Sequence, residues 1–224
     1  MAIKIKLLCI TILSVLIVSG CGESDSSVSI SDNPEAYKLI DSQGNIIKNI
    51  APPGDLTEYE ITVSSSDYSC GSSALATILN YSYEMSLSEE DVIEGLLTYG
   101  NREQIEEHRA FSLLDMKMYV TALGYAGFGY SYDSLCTLQD FQNENVEHVI
   151  DKSLLPIQIG DFKHFVVLAG FDDNYVYLAD PSIGRLCLSY EDFCDALYQN
   201  MIFVVWAEDD GLPLKKSAKI QPLF

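Results

Sequence analysis

The chain has 224 residues and a formal net charge of −20, with 33 acidic residues against 13 basic ones. This balance argues against nucleic acid as a partner and against electrostatic adhesion to anionic lipid, because both need a basic surface. It is compatible with basic peptides. Hydrophobic residues make up 48% of the sequence, which is enough for a chain of this length to bury a core.

The first residues have the composition of a secretion signal. Lys4 and Lys6 precede an apolar run, Leu7–Val18, that is too short to span a bilayer and suits a signal core. The run ends in Val-Ser-Gly-Cys21, which resembles the lipobox of bacterial lipoproteins. The resemblance implies cleavage before Cys21 and lipidation of that cysteine, so we expect a lipoprotein signal peptide over 1–20. The alternative is an ordinary signal peptide followed by a chance cysteine.

Residues 21–35 are polar, acidic and rich in serine, which predicts a flexible tether. We expect residues 36–224 to form a single domain on that tether. The lipid anchor implies a membrane-bound position in the bacterial cell envelope, outside the cytoplasm. Gly22 after the lipidated cysteine implies the periplasmic side of the outer membrane if the host has two membranes.

The N-terminal half of the domain is expected to be mainly helical. A small hairpin is predicted over 37–50 and a short strand over 59–63. Small and aliphatic residues at helical spacing predict a helix from Cys70 to about Tyr83. Ser88 and Ser112 each precede an acidic first turn, so they predict the N-caps of two further helices.

The C-terminal half has the composition of β-structure. Strands are predicted over 155–159, 165–171, 175–178 and 201–206, with a short helix over 189–198. Asp172-Asp-Asn174 predicts a tight turn that joins the second and third of these strands into a hairpin. Helices followed by an antiparallel sheet indicate an α+β fold.

The cysteines of the mature domain divide into one candidate nucleophile and a possible disulfide. The domain contains Cys70, Cys136, Cys187 and Cys194. Because no CxxC pair occurs, we expect no zinc site. Two of the last three cysteines are candidates for a disulfide in an oxidising envelope, and the sequence leaves the pairing open.

Three residues have the types needed for nucleophilic catalysis. Cys70 is expected on the first turn of a helix, where unpaired N–H groups favour the thiolate, which is the reactive form. His164 is expected at the start of a strand, and Asp180 follows the returning strand of the same hairpin. An acid there can hold the imidazole in one tautomer. Taken singly, His164 is more typical of a residue that caps a strand edge, and Asp180 of a turn before proline.

The three residues and their surroundings resemble the double-glycine peptidases, cysteine peptidase family 39. The resemblance rests on Asp-Tyr-Ser-Cys70-Gly, His164-Phe-Val-Val-Leu, the turn at 172–174 and Leu-Ala-Asp180-Pro. It extends over roughly residues 63–206, and several matched segments at consistent spacing make it specific.

The resemblance implies a papain-like fold, in which an N-terminal helical half packs on a C-terminal antiparallel sheet. It implies that Cys70 is the nucleophile, that His164 is the general base and then the acid, and that Asp180 orients His164. No metal or organic cofactor is expected. The implied substrate is an extended peptide or protein segment with two small residues, such as Gly-Gly, at the cleavage site.

The chain departs from the family pattern in two places. The family has a glutamine six residues before the cysteine, whose amide helps to form the oxyanion hole, whereas this chain has Ser64. The backbone N–H of Cys70 is retained, and the Ser64 hydroxyl is a weak candidate for the second donor. Family members are usually the first domain of an exporter, whereas we expect this domain to stand alone on a lipid tether.

The sequence therefore predicts a lipid-anchored cysteine peptidase of the envelope that cleaves an exported peptide or protein. The main alternative is a module that keeps the groove and binds peptide segments without cutting them, which the missing glutamine favours. Other papain-like chemistry, such as amidase activity, and a purely structural lipoprotein are further alternatives. Fast labelling of Cys70 by an electrophile would distinguish the peptidase from the binding module.

Overall fold

The computed structural model describes residues 35–51, 53, 56, 60–65, 70–207 and 211–224. The predicted signal peptide, the predicted lipidation site Cys21 and nearly all of the predicted tether lie outside these residues. Within the part of the chain that is described, no helix has both the length and the apolar character needed to cross a membrane.

Most of the helices begin after a polar cap residue. They are α1 (Cys70–Tyr83), α2 (Glu89–Tyr99), α3 (Arg102–His108), α4 (Leu113–Ala122), α5 (Leu138–Asn143) and α6 (Tyr190–Ala196), with a 3₁₀ turn at Val146–Val149. Ser88 and Ser112 each form a capping box, with Asp91 and Asp115 respectively. Each box satisfies N–H groups that the first turn would otherwise leave unpaired.

The strands form one sheet. They are β1 (Tyr37–Ile40), β2 (Ile46–Ile50), β3 (Tyr125–Tyr132), β4 (Ser153–Ile159), β5 (Phe162–Phe171), β6 (Tyr175–Asp180), β7 (Gly184–Ser189), β8 (Met201–Ala207) and β9 (Ile220–Pro222). Their order is β2-β1-β7-β6-β5-β4-β8-β3-β9. Within the described residues, β1 and β7 are parallel and every other pair of neighbouring strands is antiparallel.

The sheet separates two hydrophobic cores. One core contains side chains of α1, α2 and α4 together with Val167 and Ala169 of β5. The other contains side chains of α5 and α6 together with Val166 and Leu168 of the same strand. Successive residues of a strand face opposite sides, so the apolar run of β5 supplies both cores.

Most of the expected elements are present, but several differ from the predictions. The 37–50 hairpin, the start of α1 at Cys70 and the hairpin of β5 and β6 match their predictions. The strand predicted over 59–63 is wrong, since the described residues 60–63 are irregular. The predictions also missed α3, β7 and β9. The sequence predicted a sheet built from the C-terminal half alone. In the structure, β1, β2 and β3 also belong to that sheet, which is therefore larger than predicted.

The structure resolves the choice of disulfide that the sequence left open. Cys136 and Cys194 are bonded across a sequence separation of 58 residues, which ties the segment before α5 to α6. Cys70 and Cys187 are free thiols, and Cys187 is buried. The short sequence distance between Cys187 and Cys194 therefore does not correspond to a bond.

Candidate active site

Cys70 is the first residue of α1, and the residues that follow it are buried in the core that α1 forms with α2 and α4. The next residue, Gly71, leaves space for neighbouring side chains: a Cβ there would lie 2.8 Å from Met116 Cε and 3.4 Å from Phe165 Cδ2. Glycine thus permits the first turn of α1 to approach β5 directly. The helix start and the strand that holds His164 are consequently in contact.

The environment of the Cys70 sulfur acts on its pKa in both directions. Burial is the largest influence and raises the pKa of the thiol, and the negative charge of Asp180 raises it further. Hydrogen bonds from the backbone N–H groups of Phe165 and Gly71 lower it. Burial prevails, so the helix start alone does not make this sulfur a thiolate. A thiolate here requires a proton acceptor beside it.

The His164 side chain is held by a polar contact with the carboxylate of Asp180. Its side chain is fully buried in β5, and its Nε2 lies 2.5 Å from Asp180 Oδ2. The Phe162 ring covers the imidazole at a centroid distance of 4.6 Å. Nδ1 is buried and has no hydrogen-bond partner among the described residues. The acidic partner therefore fixes one ring nitrogen and leaves the other to face a reacting group.

Asp180 is itself fixed by backbone donors. It is the last residue of β6, and its side chain is fully buried. Its Oδ1 accepts hydrogen bonds from the N–H groups of Ser182 at 2.7 Å and Ile183 at 3.1 Å. These bonds direct Oδ2 towards His164. The hairpin register, which pairs Val167 with Ala179, brings this end of β6 beside the His164 segment.

Cys70 and His164 line the same cleft, which has a volume of about 240 Å³. The described walls also include the loop between α3 and α4 (residues 109–111) and Tyr198 after α6. Neither wall was predicted from the sequence, because no helix is predicted at α3 and Tyr198 falls inside a predicted helix. A partly buried thiol, an imidazole with one nitrogen that has no described partner and an oriented carboxylate are the groups that nucleophilic attack on a carbonyl needs.

Ser64 lies near this site through its backbone. Its N–H donates to Pro181 O at 2.9 Å, directly after Asp180 in the chain. The next N–H, of Ser65, donates to the buried carboxylate of Glu89, which also accepts from Ser73 Oγ at 2.5 Å. Ser64 is not among the described residues that line the cleft. This role of Glu89 was not predicted, because its only local signal is that of an acid in a first helical turn.

The other described histidines lie away from this site. His108 and His148 are exposed, in line with their charged surroundings in the sequence. Among the described residues, no cluster of His, Cys, Asp or Glu side chains has the arrangement needed to hold a metal ion.

Comparison with known protein families identifies the chain. The family model of the Peptidase C39 family matches residues 58–210, which include α1, β5 and β6. The chain belongs to the Peptidase C39 family. Membership confirms the resemblance to double-glycine peptidases and gives the chain a cysteine peptidase-like function.

Two curated relatives carry the same name. The chain is 32% identical over 180 residues to a protein of Pseudomonas aeruginosa named "Probable functional amyloid protease FapD", covering 80% of this chain and 75% of that one. It is 35% identical over 144 residues to the protein of the same name from Pseudomonas fluorescens, covering 63% of this chain and 58% of that one. The match thus spans three quarters of one relative and under two thirds of the other.

A solved structure supports the fold. The peptidase domain of Streptococcus ComA, described as a bifunctional ABC transporter involved in a quorum sensing pathway, matches with a TM-score of 0.51 and 15% identity. The match covers 67% of this chain and 100% of that domain. The papain-like α+β prediction is confirmed, with α1 to α4 packed on one side of the sheet.

Proposed function

We propose that the chain is a lipid-anchored cysteine peptidase of the bacterial envelope that cleaves an exported peptide or protein through Cys70, His164 and Asp180. The observation that carries the proposal is the pairing of His164 Nε2 with the buried Asp180 carboxylate. The other ring nitrogen, Nδ1, is left without a described partner in the wall that also contains Cys70.

In the proposed reaction, His164 Nδ1 takes the proton from Cys70 as the sulfur attacks the scissile carbonyl carbon. The resulting imidazolium is stabilised by Asp180. His164 then gives that proton to the leaving amine, and an acyl-enzyme thioester remains. His164 then takes a proton from a water molecule, and the hydroxide attacks the thioester carbonyl. The carbon–sulfur bond breaks, the new carboxyl terminus is released, and His164 gives its proton to the sulfur.

The developing oxyanion needs hydrogen-bond donors. The first N–H groups of a helix have no intrahelical acceptor, so the backbone N–H of Cys70 is suited to this role. The contribution of the Ser64 hydroxyl stays a prediction. Its backbone contact with Pro181 supports it by holding position 64 beside the His164–Asp180 pair.

The substrate we propose is an extended segment with small residues at the cleavage site. The names of the Pseudomonas relatives favour a protein of a functional amyloid system as the source of that segment. Such a substrate would meet the peptidase outside the cytoplasm.

The second candidate function is a non-cutting peptide binder. The observation that favours it is Ser64, which stands at the position of the family glutamine and is absent from the described lining of the cleft. Loss of one oxyanion donor lowers the rate by about 10²- to 10³-fold.

A thiol-labelling experiment separates the two candidates. Full-length protein in detergent is treated with iodoacetamide, and the labelling of each cysteine is followed by mass spectrometry. At neutral pH we expect Cys70 to react about 100-fold faster in the wild type than in His164→Ala, because only the wild type has a proton acceptor for the thiol. In His164→Ala the labelling rate should rise with pH towards the raised pKa of the partly buried thiol.

The chain contains its own reference thiol for this experiment. Cys187 is a buried free thiol, and burial and the charge of Asp172 raise its pKa to about 12. Its slow labelling should be the same in both proteins. Equal labelling of Cys70 in the wild type and in His164→Ala would show that His164 does not activate the sulfur, and would favour the binder.

The anchor is tested separately. In a bacterial host, Cys21→Ala should move the protein from the membrane fraction to the soluble fraction, because lipidation requires the Cys21 sulfur. Ser19→Thr, a conservative change in the same segment, serves as the control and should stay in the membrane. Retention of Cys21→Ala in the membrane fraction would contradict the lipobox interpretation.

A further inference from the structure

The cleft has a charge opposite to that of the protein. Acidic residues outnumber basic ones by 33 to 13 in the chain as a whole. Nevertheless, Arg109 and Lys163 both line the cleft, and none of its described lining residues is acidic. Asp180, the nearby carboxylate, is fully buried behind His164 and paired with it. A substrate bound in the cleft therefore lies against a wall that contains two cationic residues.

Both cations are held by the fold at this position. Arg109 ends α3 with a left-handed backbone, at φ 51°, a conformation that glycine or asparagine adopts with less strain. A strained non-glycine residue at the wall of a cleft is a reason to look for a function of its side chain. Lys163 precedes His164 in β5, and its Nζ lies 4.2 Å from the centre of the Tyr198 ring.

The Tyr198 contact orients Lys163 within the cleft. The Tyr198 N–H donates to Pro156 O at 3.0 Å, so the ring belongs to a segment fixed against β4. Tyr198 and Pro156 also line the cleft. A cation over an aromatic face keeps its charge and its remaining hydrogen-bond donors. Lys163 is exposed, and its ammonium group can bind an incoming anion.

We propose that Arg109 and Lys163 form a carboxylate-binding subsite, which selects peptides carrying an Asp or Glu side chain close to the cleaved bond. This specificity rests on the proposed peptidase function. The net negative charge of the protein does not oppose it, because salt at physiological strength screens exposed charges beyond about 8 Å. Within the cleft, Arg109 and Lys163 add positive charge to a lining in which none of the described residues is acidic.

The local potential is measured without any peptide substrate. Iodoacetate and iodoacetamide alkylate the same sulfur, but only iodoacetate is anionic. We expect the iodoacetate-to-iodoacetamide rate ratio at Cys70 to fall about threefold in Arg109→Gln or Lys163→Gln, and further in the double variant, as an exposed ion pair of ordinary strength would give. High salt should reduce these differences.

Matched controls exist elsewhere in the chain. Lys152 Nζ lies 4.6 Å from the centre of the Trp206 ring, a contact like that of Lys163 but outside the cleft. Arg102 is an exposed arginine paired with Glu106. Lys152→Gln and Arg102→Gln should leave the rate ratio unchanged. An unchanged ratio in the double variant Arg109→Gln/Lys163→Gln would overturn the proposal.

Peptide binding tests the selectivity itself. With Cys70→Ala, which cannot cut, we expect a Glu-containing peptide to bind about threefold tighter than its Gln counterpart. The difference should vanish when Arg109→Gln and Lys163→Gln are added. Peptides with amidated C-termini form a second arm: if only a free terminal carboxylate is preferred, the side-chain subsite is wrong. Selective binding by Cys70→Ala, with no cleavage by the wild type, would support the subsite and contradict the peptidase.

Discussion

Replacing Asp180 by asparagine should lower kcat about 10⁴-fold, as expected for a catalytic histidine held in the wrong tautomer, while the protein stays folded. The reason lies in the bonds that Asp180 already makes. Its Oδ1 accepts from the N–H groups of Ser182 and Ile183, so in Asp180→Asn the amide oxygen has to take the place of Oδ1. The amide NH₂ must then face His164, and peptide cleavage by purified protein is the measurement.

The tautomer explains the size of the loss. With an NH₂ donor opposite, His164 Nε2 has to be the acceptor, and the ring proton moves to Nδ1. Nδ1 is the nitrogen proposed to receive the proton of Cys70, and a protonated Nδ1 cannot do so. Labelling of Cys70 by iodoacetamide at neutral pH should slow in parallel with cleavage.

A second aspartate provides the matched control for this substitution. Asp172 Oδ1 accepts from the N–H groups of Asn174 and Tyr175, and its Oδ2 accepts from Tyr177 Oη. The bonding pattern is similar, but Asp172 lies at the far end of the β5–β6 hairpin. Asp172→Asn should therefore keep normal kcat. If kcat of Asp180→Asn stayed within tenfold of the wild type, Asp180 would not set the tautomer of His164.

The sequence predicted the features that depend on neighbouring residues. The start of α1 at Cys70, the two capping boxes and the turn at 172–174 are each determined within a few residues, where propensity and hydrogen bonding act directly. The hairpin places His164 and Asp180 on adjacent strands, so their proximity followed from the turn. The papain-like fold was implied by the resemblance of these segments to the double-glycine peptidases.

The features that the sequence did not predict depend on distant parts of the chain. Strand β7 pairs with β1, which precedes it by more than half of the chain. Glu89 accepts from Ser65 and Ser73, a contact that only tertiary packing creates. The pKa of Cys70 also depends on distant residues. The helix start favours the thiolate, but burial of the thiol by the rest of the fold has the larger effect and raises the pKa.

Replacing Ser64 by glutamine should raise kcat about 10- to 100-fold and leave KM nearly unchanged, because an oxyanion donor acts mainly in the transition state. The backbone of Ser64 is already anchored, by its N–H, to Pro181 O beside Asp180. A glutamine at this position extends an amide donor from a fixed point close to the His164–Asp180 pair. Single-turnover cleavage of a peptide with small residues at the cleavage site measures the gain.

Ser65→Gln is the control for this gain, because it adds the same amide one residue along the chain. Ser65 is exposed, and its N–H is bound to Glu89 rather than to the β6 end of the site. Because the Ser65 backbone is bound to Glu89 and not beside Asp180, the amide of Ser65→Gln should not reach the oxyanion. A folded Ser64→Gln variant with the cleavage rate of the wild type would mean that the missing amide does not limit this peptidase. The backbone N–H of Cys70 and other donors would then suffice for catalysis.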